Sequence, residues 1–258
     1  MGKQIIEKSA LYNYNVYIYD INTEGIEEYI RELIKKLKLK GISVEIKLYK
    51  TIHEAVKNAD LIIEAVPENI DLKKEIFLEI DKSAPTHAII ATNSSSFPVS
   101  RIEDVVNRKD KVLNIHFYNL TYWPMADIMR GTETSDHTFN KGIEFLESIE
   151  FTPLVVKKEC FGFVYNRIWH AIKKDCLKIW AGGHADIETV DKAWKICTGM
   201  TLGPFALMDN VGLDVIYDIE MSYYNESGDL NDKPPDALKE MVNKGQLGRK
   251  SGKGFYSY

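Results

Sequence analysis

The chain has 258 residues, of which 45% are apolar and 28% charged, the balance of a folded globular protein rather than a disordered or fibrous one. Its 33 Lys and Arg against 38 Asp and Glu give a formal charge of −5, so there is no general basic surface to hold nucleic acid or an anionic membrane. At this length one large domain or two smaller ones are expected, the apolar runs are too short to span a bilayer, and no charged-then-apolar leader is read at the start.

Ile5, Ile6, Ala10 and Leu11 recur at helical spacing and predict an opening helix that covers a sheet. The first readable strand is VYIY at 16–19, β-branched and aromatic, closed by Asp20. With Asn22 or Thr23 as N-cap, Ile26, Ile30, Leu33, Ile34 and Leu37 trace an amphipathic helix ended by Gly41. Ile42, Val44, Ile46 and Leu48 alternate with polar residues, as in a half-buried strand. Apolar runs at 61–66, 88–91 and 112–115 are separated by helix-like stretches such as 72–80, and a strand near Ile128, a helix over 139–149 and a strand over 154–156 follow. Strands alternating with helices predict an α/β fold with a mostly parallel sheet. From about Glu159 the pattern becomes helical, over 164–180 and 187–197, with turn chemistry at Gly182-Gly183, Gly203-Pro204 and Pro234-Pro235. The expected division is therefore an α/β domain over 1–158 and an all-α domain over 159–258. Cys160, Cys176 and Cys197 show neither CxxC spacing nor a neighbouring His pair; no disulfide framework or metal site is expected, and a reducing cytoplasm fits best.

Several polar residues fall where open α/β sheets bind ligands, at the carboxyl ends of strands. Asp20 closes the first strand, where an acid either receives the ribose hydroxyls of an adenosine or caps the next helix. A dinucleotide-binding glycine fingerprint would precede it by about 20 residues, and Gly2 stands where its last glycine falls. Asn93, Ser94, Ser95 and Ser96 follow the strand over 88–91, either as ligand hydroxyls or as a helix cap. His116 ends the next strand and suits proton transfer from a hydroxyl, or a bond to backbone. Asp127, 11 residues on, is placed to orient the imidazole as in a catalytic His–carboxylate pair.

Taken together, VYIYD at 16–20, ADLIIEAVPENIDLKKEIF at 59–77, ATNSSS at 91–96, NIHFYN at 114–119, FGFVYNR at 161–167, GPFALMDNVGLD at 203–214 and GRKSGKGFY at 248–256 resemble the L-3-hydroxyacyl-CoA dehydrogenase family over essentially the whole chain. The resemblance implies a Rossmann-type NAD domain followed by a helical domain that builds an acyl-CoA cleft and the contact of a homodimer. It also implies a role in fatty-acid metabolism, namely β-oxidation. On the matching positions it implies His116 as base for the 3-hydroxyl, Asp127 as its orienting carboxylate, and Ser95 and Asn166 as donors to the substrate oxygen. Gly2, Asp20, Glu68, Lys73, Asn93 and Ser95 fall on cofactor-facing positions, with Lys73 toward the substrate side or else a solvated helix cation. NAD is expected over NADP, because Asp20 repels a 2′-phosphate and no Arg follows it. Hydride transfer with one general base requires no metal.

The chain departs from that family in places. Leu120 stands where proline is usual, and Tyr122, Trp123 and Pro124 occupy a loop one residue shorter, which is expected to preserve the His116–Asp127 pairing, with Tyr122 and Trp123 either altering acyl selectivity or serving as ordinary packing residues. Asp127 replaces the usual Glu, losing roughly 1.3 to 1.5 Å of reach by covalent geometry. The strand that carries the first two glycines of the fingerprint is not found ahead of Gly2, so the strands beside its place are expected to have unpaired edges and NAD binding to be weak. The alternatives are a dehydrogenase of a free 3-hydroxy acid, or a catalytically weak CoA-binding or scaffold protein.

Overall fold

The computed structural model describes residues 1–118 and 123–258. Residues 120 and 122 of the variant loop lie outside the described residues. The chain forms two units, Met1–Val164 and Tyr165–Tyr258; from the sequence the division was expected after residue 158.

In the first unit the order is α1 (Gly2–Leu11), β1 (Val16–Ile18), α2 (Ile26–Leu39), β2 (Ile46–Leu48), α3 (Ile52–Val56), β3 (Leu61–Glu64), α4 (Ile70–Ser83), β4 (Ile89–Thr92), β5 (Val112–Phe117), β6 (Met125–Arg130), α5 (Asp136–Ser148) and β7 (Thr152–Val156). Asn69 caps α4 by accepting the Leu72 N–H at 3.0 Å, and Ser135 caps α5 through Thr138 at 3.2 Å. The expected caps of α2 are displaced. Asn22 Oδ1 instead accepts the Glu24 N–H at 3.1 Å inside the preceding turn, and Gly25, with φ 70°, stands at the N-cap. The second strand is also shorter than its alternation suggests, since β1 offers only three residues and register begins at Val16 with Ile46.

Five strands form one sheet in the order β3-β4-β5-β6-β7, parallel except for the antiparallel pair β5–β6. β1 and β2 make a separate parallel pair. Among the described residues, β1 therefore pairs only with β2, and β3 only with β4. Burial follows the pairing: Leu61, Ile62 and Ile63 of β3 are only partly buried, whereas every residue of β4 and β5 is buried.

Alternation along β5 sends Leu113, Ile115 and Phe117 into a core with Phe145 and Leu146 of α5 and Ile5 of α1. Val112 lies on the opposite face with Ile90 of β4 and Phe77 and Ile80 of α4. A third cluster joins Ala10 of α1, Ile18, Ile46 and the buried stripe Ile26, Ile30, Leu33 and Leu37 of α2. Helix α1 thus packs one side on the large sheet and the other on the small pair.

The second unit contains α6 (Tyr165–Ala181), α7 (Ile187–Thr198), α8 (Pro204–Val211), α9 (Leu213–Ser227) and α10 (Asp236–Asn243) around Leu177, Phe205, Met208, Leu213, Ile216 and Leu238. Its tail folds over Asp209, whose carboxylate accepts the N–H groups of Phe255 and Tyr256 at 2.9 Å each and the Tyr258 hydroxyl at 3.1 Å. Among the described residues no helix is long and apolar enough to cross a membrane.

Candidate active site

His116 stands next to the end of β5 and is in direct antiparallel register with Asp127 of β6. Directly opposed side chains project to the same face with Cβ atoms about 4.5–5.5 Å apart. An aspartate spans that gap: His116 Nδ1 lies 3.1 Å from Asp127 Oδ2, and the two residues are 5% and 1% exposed. A carboxylate only accepts, so the proton sits on Nδ1 and Nε2 is the basic nitrogen. At this register an aspartate side chain is long enough to meet the imidazole.

The surroundings of the pair are aromatic. The Tyr118 hydroxyl donates to the same Asp127 Oδ2 at 2.5 Å, and its ring meets the imidazole edge-on at 4.6 Å. Phe163 lies 5.2 Å from the imidazole, centroid to centroid, in the left-handed region at φ 54°. That conformation is uncommon for a residue with a side chain and is found at sites over-determined by their surroundings.

The segment after β4 is tied down from both sides. Asn93 Oδ1 accepts the Phe117 N–H at 2.9 Å, and Asn114 Nδ2 donates to the Thr92 and Ser94 carbonyls at 3.2 and 3.4 Å. Glu68 Oε1 accepts the Ser94 hydroxyl at 2.5 Å and the Ser96 N–H at 2.9 Å. Ser95, between these anchors, is exposed, and its hydroxyl has a long 3.5 Å contact to Ser96 Oγ.

Lys73 is not a solvated cation. It is 1% exposed, and its ammonium lies 2.9 Å from Glu64 Oε1, 3.2 Å from Glu68 Oε2 and 3.3 Å from the Val66 carbonyl. Three acceptors saturate its three donors, so Lys73 faces Glu68 rather than open space. Glu64 was not singled out from the sequence. Its carboxylate is closed to solvent and also accepts the Thr92 hydroxyl and the Val66 N–H, each at 2.7 Å. The signal was available: a lone acid ending the apolar run LIIE must find partners when buried.

The remaining candidates lie farther apart in the chain. Asp20 is exposed just beyond β1, with Oδ1 accepting the Asn22 N–H at 2.9 Å. Gly2 is the first residue of α1, and a side chain there would meet nothing within 4 Å, so packing alone does not demand glycine. Asn166 is near the start of α6 in the second unit and is partly exposed. Acids, an amide and hydroxyls at the carboxyl ends of β1, β3 and β4 fit the ribose hydroxyls of a dinucleotide.

The profile of the 3-hydroxyacyl-CoA dehydrogenase NAD binding domain matches residues 1–160, and that of the 3-hydroxyacyl-CoA dehydrogenase C-terminal domain matches residues 162–258. The chain belongs to the 3-hydroxyacyl-CoA dehydrogenase family. The 3-hydroxybutyryl-CoA dehydrogenase of Clostridioides difficile is 34% identical over 271 residues, covering 100% of this chain and 96% of its own. The probable 3-hydroxybutyryl-CoA dehydrogenase of Bacillus subtilis (strain 168) is 32% identical over 271 residues, covering 100% and 94%. Among solved structures, (S)-3-hydroxybutyryl-CoA dehydrogenase from Ralstonia eutropha matches with a TM-score of 0.88 and 30% identity, over 100% of this chain and 95% of that one. As a 3-hydroxyacyl-CoA dehydrogenase the chain is an NAD-dependent oxidoreductase acting on CH–OH.

Proposed function

We propose that this 3-hydroxyacyl-CoA dehydrogenase interconverts an L-3-hydroxyacyl-CoA and the 3-ketoacyl-CoA with His116 as general base. The observation that carries this is the closed His116–Asp127 pair at the carboxyl end of β5, with Nε2 as the basic nitrogen. NAD, when bound, accepts the hydride from C3. His116 Nε2 takes the hydroxyl proton, and Asp127 fixes the ring and stabilises the imidazolium. Ser95 and Asn166 donate hydrogen bonds to the substrate oxygen and so stabilise its developing charge. Asp20 receives the adenosine ribose, and Glu68 the nicotinamide ribose. Asn93 braces the end of β5 beside that site, the backbone at Gly2 faces the pyrophosphate, and Lys73 acts through Glu68.

The acyl-CoA thioester is the substrate, as the names of the relatives support. A homodimer through the second unit is supported by its exposed apolar residues, among them Ile196, Met200, Val211 and Val215. The cysteines, free in the structure, agree with a cytoplasmic enzyme of fatty-acid β-oxidation. The reading is tested by following NADH oxidation with acetoacetyl-CoA, longer 3-ketoacyl-CoAs and free acetoacetate. Turnover confined to the thioesters is expected; turnover of free acetoacetate alone would replace the reading with a free-acid dehydrogenase.

A further inference from the structure

We infer that Tyr118 is a positioning residue that sets the proton affinity of His116 through Asp127; the inference rests on the role of His116 proposed above. Two donors, the Tyr118 hydroxyl at 2.5 Å and His116 Nδ1 at 3.1 Å, converge on Asp127 Oδ2. The other oxygen, Oδ1, is buried with no hydrogen-bond partner among the described residues. The charge of the carboxylate is thus divided unequally, with the shorter contact going to the phenol.

Tyr118 is 6% exposed and Asp127 1% exposed, so water does not replace either bond readily. A hydrogen bond to a carboxylate withdraws charge from it, and a weaker negative partner favours imidazolium less. Tyr118 therefore lowers the tendency of His116 to keep a second proton and leaves Nε2 unprotonated, and so able to accept a proton, to lower pH. Among the described residues, Asp127 on β6 and Tyr118 just after β5 are the charged and titratable groups shown in contact with the imidazole; Phe163, on the segment after β7, is apolar. The phenol also fixes the carboxylate, and its ring covers an edge of the imidazole, so one side chain both positions and tunes the pair.

The test is the NMR titration of His116 in the full chain, its resonance assigned by its absence in His116→Gln. In Tyr118→Phe the titration midpoint is expected to move up by about 0.5 to 1 unit. Replacement of Tyr118 by 3-fluorotyrosine, a stronger donor of nearly the same shape, is expected to move it down; this second variant serves if Tyr118→Phe does not fold. A midpoint unmoved in both, or moved in the opposite sense, overturns the inference. In NAD reduction with L-3-hydroxybutyryl-CoA, the oxidation direction in which His116 must be unprotonated, the acid limb of the pH profile should follow the same shift. Turnover absent in the unmodified chain with a shifted NMR midpoint would defeat the functional reading and leave the Tyr118 relation standing. Normal turnover with no shift would defeat only the latter.

Discussion

The Lys73 ammonium lies 2.9 Å from Glu64 Oε1, with 1% of the lysine side chain and none of the glutamate side chain exposed. Through this pair β3, α4 and β4 are joined, because Glu64 also holds Thr92 at 2.7 Å and Lys73 also holds Glu68 at 3.2 Å. Glu68 in turn holds Ser94 and Ser96, which flank Ser95.

Removing one member of a buried pair strands the other charge, at a cost of about 3–5 kcal/mol. Glu64→Gln and Lys73→Met are each expected to lower stability by an amount in this range in denaturant titration. The double variant should cost less than the sum of the two, because neither charge is then left alone. Strict additivity would show that the two groups are not coupled.

A pH dependence of stability follows from Asp81 in α4. Burial alone raises the pKa of its carboxyl, but the Asn107 N–H and the Arg108 guanidinium, at 2.9 and 2.6 Å, outweigh it and hold the group below its usual 3.8. Arg108 also donates to the carbonyls of Asp81, Ala84 and Pro85 at the end of α4. A carboxyl depressed in the folded state contributes stability above its unfolded pKa and loses it as pH falls through the folded one. Asp81→Asn should therefore destabilise at pH 7 by about 1–3 kcal/mol. The gap to the unmodified chain should narrow below pH about 4 in acid titrations followed by circular dichroism. A gap that widens on acidification would contradict the assignment.

Much of the architecture was legible because it rests on local patterns. The stripe of α2 and the apolar runs of β4 and β5 announce their own faces and are buried, whereas the run of β3 is only partly so. Long-range register was not legible. The spacing of His116 and Asp127 placed them near one another, but their direct opposition, which lets an aspartate reach the imidazole, exists only once β5 and β6 pair. Likewise nothing local shows which carboxylate Lys73 meets, or that Tyr118 lies on the same face as His116 and bonds Asp127. The N-cap of α2 failed for a physical reason: Asn22 spends its side chain within its own turn.

The tail of the second unit is built around Asp209. A Cβ at Gly254 would overlap Asp209 Oδ1, the atom that accepts the Phe255 N–H at 2.9 Å. Gly254→Ala is expected to cost about 1–3 kcal/mol, typical of overpacking. Gly183→Ala serves as the comparison: its φ is 68°, but a Cβ there meets nothing within 4 Å, so it tests backbone strain alone. Equal melting of the two variants would show that the tail yields freely.

The central claim, that His116 is the general base, is tested most directly by His116→Gln in the oxidation of L-3-hydroxybutyryl-CoA with NAD. Thermal melting provides the check that the variant is folded. A loss of about 10²- to 10⁴-fold in kcat, with KM for the thioester little changed, is expected for removal of a general base. A folded His116→Gln retaining kcat within a factor of about 3 would contradict it.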